Sequence, residues 1–93
     1  MKTIALLGST GSIGASTLDL VRQFPDLFKV YGLVAGVNLE RLAAQVREFA
    51  PQCVAIKEEK DVSRLRRMLR GRRPDILWGE AGAAAVNSRV SAE

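Results

Sequence analysis

The residues best suited to chemistry lie near the start of the chain, in the run Gly8-Ser9-Thr10-Gly11-Ser12-Ile13-Gly14. Its glycines are spaced GxxGxxG, directly after an apolar run and at the head of a helical period. Gly8 lets the chain turn sharply, Gly11 offers bare backbone to an approaching anion, and Gly14 lets the next helix pack closely. The unpaired N–H groups of the first helical turn, with the helix dipole behind them, then favour a phosphate. Ser9, Thr10 and Ser12 add hydroxyls able to bond phosphate oxygens. No GK[ST] follows, so this is not a mononucleotide P-loop. The context of strand, turn and helix is that of a dinucleotide fingerprint, the plainer alternative being a glycine turn without a ligand.

A second group of residues bears on which dinucleotide. Sites selective for NAD carry an Asp or Glu about 20 residues beyond the glycines, bonded to the ribose 2′-hydroxyl. At that place this chain reads Ala35-Gly36-Val37-Asn38, with no acid to repel a 2′-phosphate. The loop therefore favours NADP(H). Asn38 and the backbone around Gly36 can bond the phosphate. Arg41, one helical turn on, either supplies charge or simply faces solvent.

The remaining composition is chiefly exclusive. A chain of 93 residues makes at most one small domain, and 47% hydrophobic residues is a globular composition. A single cysteine and no histidine exclude a disulfide framework and the usual zinc sites. Cys53, within Cys53-Val54-Ala55-Ile56, reads as a buried structural thiol. Arg64, Arg66, Arg67, Arg70, Arg72 and Arg73 supply much of the net charge of +4. Without interleaved aromatics or a nucleic-acid motif they read as a solvated helix face, so no nucleic-acid partner is expected. No apolar stretch approaches the ~20 residues that span a bilayer. Met1 to Leu7 reads as a strand rather than a signal peptide, and the expected location is the cytoplasm.

Positioning these groups requires alternating strands and helices. Thr3 to Leu7 is a strand, and the helix from 12 to 23 is expected to turn Ile13, Thr17, Leu20, Val21 and Phe24 inward before Pro25 stops it. A second strand covers 29 to 35. Asn38 caps a helix striped by Leu39, Leu42, Val46 and Phe49 and closed at Pro51. A third strand, 53 to 56, leads to a helix over 61 to 70 with Val62, Leu65 and Leu69 inward. Residues 76 to 78 form a short fourth strand, with Trp78 filling the core. In the tail, Ala83 to Val86 is able to form a helix but shows no amphipathic face. The fold class is α/β, a Rossmann-like parallel sheet with flanking helices. The doubly wound order 3-2-1-4 places strand one centrally in a complete sheet. Here the strand near residue 76 belongs beside strand three, so one side of strand one is left open and the domain is incomplete.

The string GSTGSIG with Ser16-Thr17-Leu18-Asp19, the Leu33-Val34-Ala35-Gly36 loop with Asn38, and Phe49-Ala50-Pro51 together resemble the 1-deoxy-D-xylulose 5-phosphate reductoisomerase family. The likeness is looser at Trp78-Gly79, and the tail from Ala81 departs from the family pattern. Membership implies NADPH-dependent conversion of 1-deoxy-D-xylulose 5-phosphate to 2-C-methyl-D-erythritol 4-phosphate, in the non-mevalonate route to isoprenoids. It implies cofactor contacts at Thr10, Gly11, Ser12 and Ile13 and at Gly36, Val37 and Asn38, where Val37 replaces a basic residue of some relatives. It also implies a divalent metal (Mg or Mn), a phosphosugar substrate and a homodimer for the full-length enzyme. The family's metal carboxylates and substrate ligands lie downstream, and Asp61, Asp75, Glu80 and Glu93 match none of them. Residues 1–93 are thus expected to be a partial NADP(H)-binding domain without catalytic residues or metal ligands, inactive alone, from a fragment or truncated product. Two other classes share the opening turn. One is an NAD(P)-binding epimerase or short-chain reductase, although Tyr31 lacks that class's Tyr-x-x-x-Lys lysine; the other is a stand-alone, non-catalytic dinucleotide-binding module.

Overall fold

The computed structural model describes residues 2–91. Strands β1 (Lys2–Leu7), β2 (Phe28–Val34), β3 (Cys53–Ile56) and β4 (Asp75–Trp78) form a parallel sheet in the order β1-β2-β3-β4. Helices α1 (Ser12–Gln23), α2 (Leu39–Phe49) and α3 (Val62–Met68) link consecutive strands, and α4 (Gly79–Ser91) follows β4. Right-handed crossovers that always step the same way across a sheet deliver their helices to one face. Accordingly Leu18 and Val21 of α1, Leu42 and Val46 of α2, and Leu65 of α3 share one core with Val30, Leu33, Val54, Ile56 and Ile76. The expected α/β class and the placement of the fourth strand beside the third both hold.

A bulge tunes that face. Ile4 pairs with Val30 but Ala5 pairs with Gly32, so Tyr31 is an extra residue in β2. The inserted residue breaks the alternation and lets Val30 and Leu33 both point into the helical core, while Tyr31 packs on the other face.

Several expectations are corrected. In α1 the buried residues are Gly14, Leu18 and Val21, whereas Ile13 is 84% exposed and Leu20 and Phe24 are nearly half exposed. Contact between Gly14 and the preceding turn fixes which side of α1 faces inward, and a rotation of 100° per residue then carries Ile13 outward. Helix α3 is shorter than expected because Glu59–Asp61 forms a 3₁₀ turn before it, and positive φ at Arg70 and Gly71 ends it. Trp78 is 44% exposed, at the strand end where the chain departs into α4.

In the tail, the helix that Ala83 to Val86 is able to form is present and longer. Residues 79–91 form a helix that packs on the second face of the sheet, where fully buried Val86 meets Cys53 and Ala55. The approach is close: a Cβ on Gly32 would lie 2.4 Å from Val86 Cγ1 and 3.2 Å from Cys53 Sγ. Small residues make such a helix hard to recognise by periodicity, yet they allow its axis to sit near the strands. Cys53 is buried as expected, and burial pushes its thiol pKa up.

Candidate functional site

In a parallel α/β sheet, ligands bind outside the carboxyl ends of the strands. Two loops meet there in this chain, the turn after β1 and the segment 35–38 after β2. Gly8 leaves β1 with φ +69°, the left-handed region that glycine enters without strain. The Gly11 N–H donates to the Gly8 carbonyl at 3.0 Å and closes the turn. Gly11 is the N-cap of α1 and no side chain caps that helix, so the N–H groups of its first turn are left to an external acceptor. A Cβ on Gly14 would fall 2.4 Å from the Gly8 carbonyl oxygen, which makes that glycine a packing requirement.

The candidate cofactor residues fall into two clusters. Thr10 is half-buried, and Gly11, Ser12 and Ile13 are exposed along the rim of the turn. Gly36, Val37 and Asn38 are exposed at the head of α2, Val37 at 71%. The Asn38 side-chain oxygen accepts from Arg41 N at 3.1 Å, so it caps α2 as expected and leaves only its NH₂ group for a ligand. Ser9 is a correction. It is fully buried, and its hydroxyl has no protein partner among the described residues, so it does not line the rim.

Helix α2 joins the clusters. Arg41 Nη1 donates to the Thr10 carbonyl at 2.9 Å, so the guanidinium spans from the second loop to the first. Gln45, nearly all buried, donates through Nε2 to the Ser9 carbonyl at 2.7 Å. Neither the bond from Arg41 nor Gln45 itself was legible as part of the site from motifs. The available signal was a polar residue at position 45 among Leu42, Val46 and Phe49, on the inward stripe of an amphipathic helix.

Other charged groups lie outside this crevice. Arg22 bonds Asp19 and Glu48 and covers the Phe49 ring at 5.2 Å, tying α1 to α2 and holding the Glu48 carboxyl below its usual range. Arg70, Arg72 and Arg73 line a depression of about 760 Å³ with Pro51 and Pro74. Those residues precede β3 and β4, so the depression is at the opposite end of the strands from the glycine turn. The arginines from 64 to 73 are exposed, in line with a solvated basic face. Among the described residues no three His, Cys, Asp or Glu side chains gather to hold a metal. Asp61, Asp75 and Glu80 are dispersed, and Glu93 lies outside the described residues. No described helix is long and apolar enough to cross a membrane.

Comparison with known proteins adds a family. The family model for 1-deoxy-D-xylulose 5-phosphate reductoisomerase matches residues 4–93, so the likeness continues through the tail that sequence motifs had left aside. The reductoisomerase of Chlorobium phaeobacteroides is 47% identical over 93 residues, covering 100% of this chain and 24% of the relative. That of Prosthecochloris aestuarii is 49% identical over 86 residues, covering 92% of this chain and 22% of the relative. The chain thus spans about a quarter of the length of these curated relatives. A solved DOX-P reductoisomerase containing NADPH, fosmidomycin and magnesium superposes with a TM-score of 0.86 at 30% identity, over 92% of this chain and 21% of that one. The Zymomonas mobilis enzyme with NADPH gives 0.84 at 29% identity, over 91% and 22%. With four parallel strands laid out as in those structures and a family match over nearly its whole length, this chain belongs to the 1-deoxy-D-xylulose 5-phosphate reductoisomerase family.

Proposed function

We propose that residues 1–93 are the amino-terminal, NADPH-binding part of an enzyme that converts 1-deoxy-D-xylulose 5-phosphate to 2-C-methyl-D-erythritol 4-phosphate. The observation that carries this reading is Gly36. Its Cβ position is open space, and no positive φ requires a glycine there, so nothing within the fold calls for one. A ligand lying against the backbone does. Gly11 is similar, with only the Gly8 oxygen at 3.4 Å, an ordinary contact. In this reading Thr10, Gly11, Ser12 and Ile13 hold the pyrophosphate through backbone N–H groups and hydroxyls. Gly36, Val37 and Asn38 hold the adenosine ribose, and the Arg41 guanidinium supplies positive charge toward its 2′-phosphate. The bound cofactor supplies the hydride; these residues bind and orient it.

The remainder of the activity belongs to the longer protein. A divalent metal, the phosphosugar site and a homodimer interface are assigned to parts beyond this segment, and the location to the cytoplasm. The test is calorimetric titration of the purified chain with NADPH and NADH. NADPH is expected to bind about tenfold more tightly or better, since a charge-assisted bond to the 2′-phosphate contributes about that much. Val37→Asp sets a like charge beside that phosphate without touching the core and is expected to reverse the preference. Equal affinities of the native chain for both cofactors would sink the assignment.

A further inference from the structure

We infer that Gln45 is a positioning residue for the cofactor: from the buried side of α2 it fixes the peptide plane that aims the Thr10 N–H into the crevice. This rests on the NADPH-binding reading above. The bond from Gln45 Nε2 to the Ser9 carbonyl is 2.7 Å long and buried. In a trans peptide the carbonyl and the following N–H point in opposite directions, and no described peptide is cis. Drawing the Ser9 carbonyl down onto α2 therefore turns the Thr10 N–H away from α2. No group among the described residues accepts from that N–H.

The rest of the turn follows the same logic. Its carbonyls are the groups that would repel a pyrophosphate, and three in succession are engaged. Gly11 N holds that of Gly8, Gln45 that of Ser9 and Arg41 Nη1 that of Thr10. The Ser9 N–H is held as well, by the Val34 carbonyl at 3.0 Å. Two of the three carbonyl restraints come from α2, whose first turn also carries the ribose loop capped by Asn38. One helix thus sets both halves of the cradle.

Stability alone does not account for a glutamine at this place. Gln45 Oε1 is buried without a partner among the described residues, a situation that costs free energy. An apolar side chain of similar volume would avoid that cost but leave the buried Ser9 carbonyl unpaired in its place, an exchange close to neutral for stability. What it would lose is the grip on the Ser9 carbonyl.

The experiment compares the wild-type chain with Gln45→Met, titrating each with NADPH and with adenosine 2′-phosphate, which has no pyrophosphate. Gln45→Met is expected to weaken NADPH about tenfold, the worth of one well-made hydrogen bond. It should change adenosine 2′-phosphate less than twofold and leave the thermal transition close to wild type. Equal losses for both ligands, or no loss for either, would overturn the inference while the NADPH reading stands. A wild-type chain that leaves NADPH unbound would overturn that reading, and the brace with it. Should the variant not fold, ¹H–¹⁵N spectra of the wild type decide. The Thr10 amide must shift with NADPH and stay in place with adenosine 2′-phosphate; an unmoved Thr10 amide in the NADPH complex overturns the inference.

Discussion

A Cβ on Gly14 would lie 2.4 Å from the Gly8 oxygen and 2.7 Å from Ser9 Cα, inside contact distance of backbone that cannot readily move. Gly14→Ala therefore pushes α1 away from the turn, at an expected cost of about 1–3 kcal/mol. Gly36→Ala meets nothing within 4 Å. Its stability should be unchanged or raised by up to about 1 kcal/mol through the unfolded chain, while NADPH affinity falls. Urea denaturation and cofactor titration of the two variants separate packing from ligand approach, and a Gly36→Ala variant that binds NADPH like wild type would remove Gly36 from the cradle. Cys53 makes a pH prediction. Burial raises its folded pKa, whereas the unfolded thiol ionises near about 8.5. Above that pH the unfolded state binds fewer protons than the folded one, so stability falls as pH rises. Urea midpoints from pH 7 to 10 should decline more steeply for wild type than for Cys53→Ala.

Among the elements, α4 has the least amphipathic sequence and the most specific seat. Val86 fills the space that the absent Gly32 side chain leaves, above Cys53 and Ala55, and Arg89 bonds Asp75 at 3.0 Å near the base of β4. That pair is exposed and adds little. Among its described side chains, the helix is held mainly by buried Val86 and by close backbone approach. Val86→Ala should cost about 2 kcal/mol. Because few other described side chains hold α4, its amides should then exchange with solvent faster, while those of α2, buried through Leu42, Ala43 and Val46, remain protected. Uniform acceleration across both helices would show instead that the whole chain opens as one unit.

At the scale of the molecule, the Cα radius of gyration of 12.1 Å matches the ~12 Å of a compact chain of this length. One edge is nonetheless open. Among the described residues β1 pairs only with β2, none of its residues is fully buried, and Thr3 to Leu7 carries no charge. The second face of the sheet is covered, since α4 crosses it and contacts all four strands. Covering a face does not pair an edge, and unpaired N–H and carbonyl groups on an apolar strand invite another chain. As an isolated 93-residue chain the protein should therefore self-associate and unfold at a concentration-dependent temperature. Sedimentation as a monomer, with a sharp transition independent of concentration, would contradict this.

The sequence by itself determined the glycine turn at the head of α1, the acid-free second loop, the Asn38 cap, the stripe on α2 and the parallel order with β4 beside β3. Each rests on a local cause: a glycine needed for a turn, a side chain reaching its own helix end, a period of 3.6, or the fixed hand of a crossover. The tertiary structure alone decided the rest. Which face of α1 turned inward depended on the contact of Gly14 with Gly8 and Ser9, not on where the larger apolar residues fell. That the helix of the alanine-rich tail has a seat on the sheet depended on Gly32, in a strand more than fifty residues before Val86. That Ser9 is buried, and that Arg41 and Gln45 hold the turn, depended on α2 passing beside a loop some thirty residues before it. Such contacts are made between elements after each has formed, so no periodicity or spacing within one element encodes them.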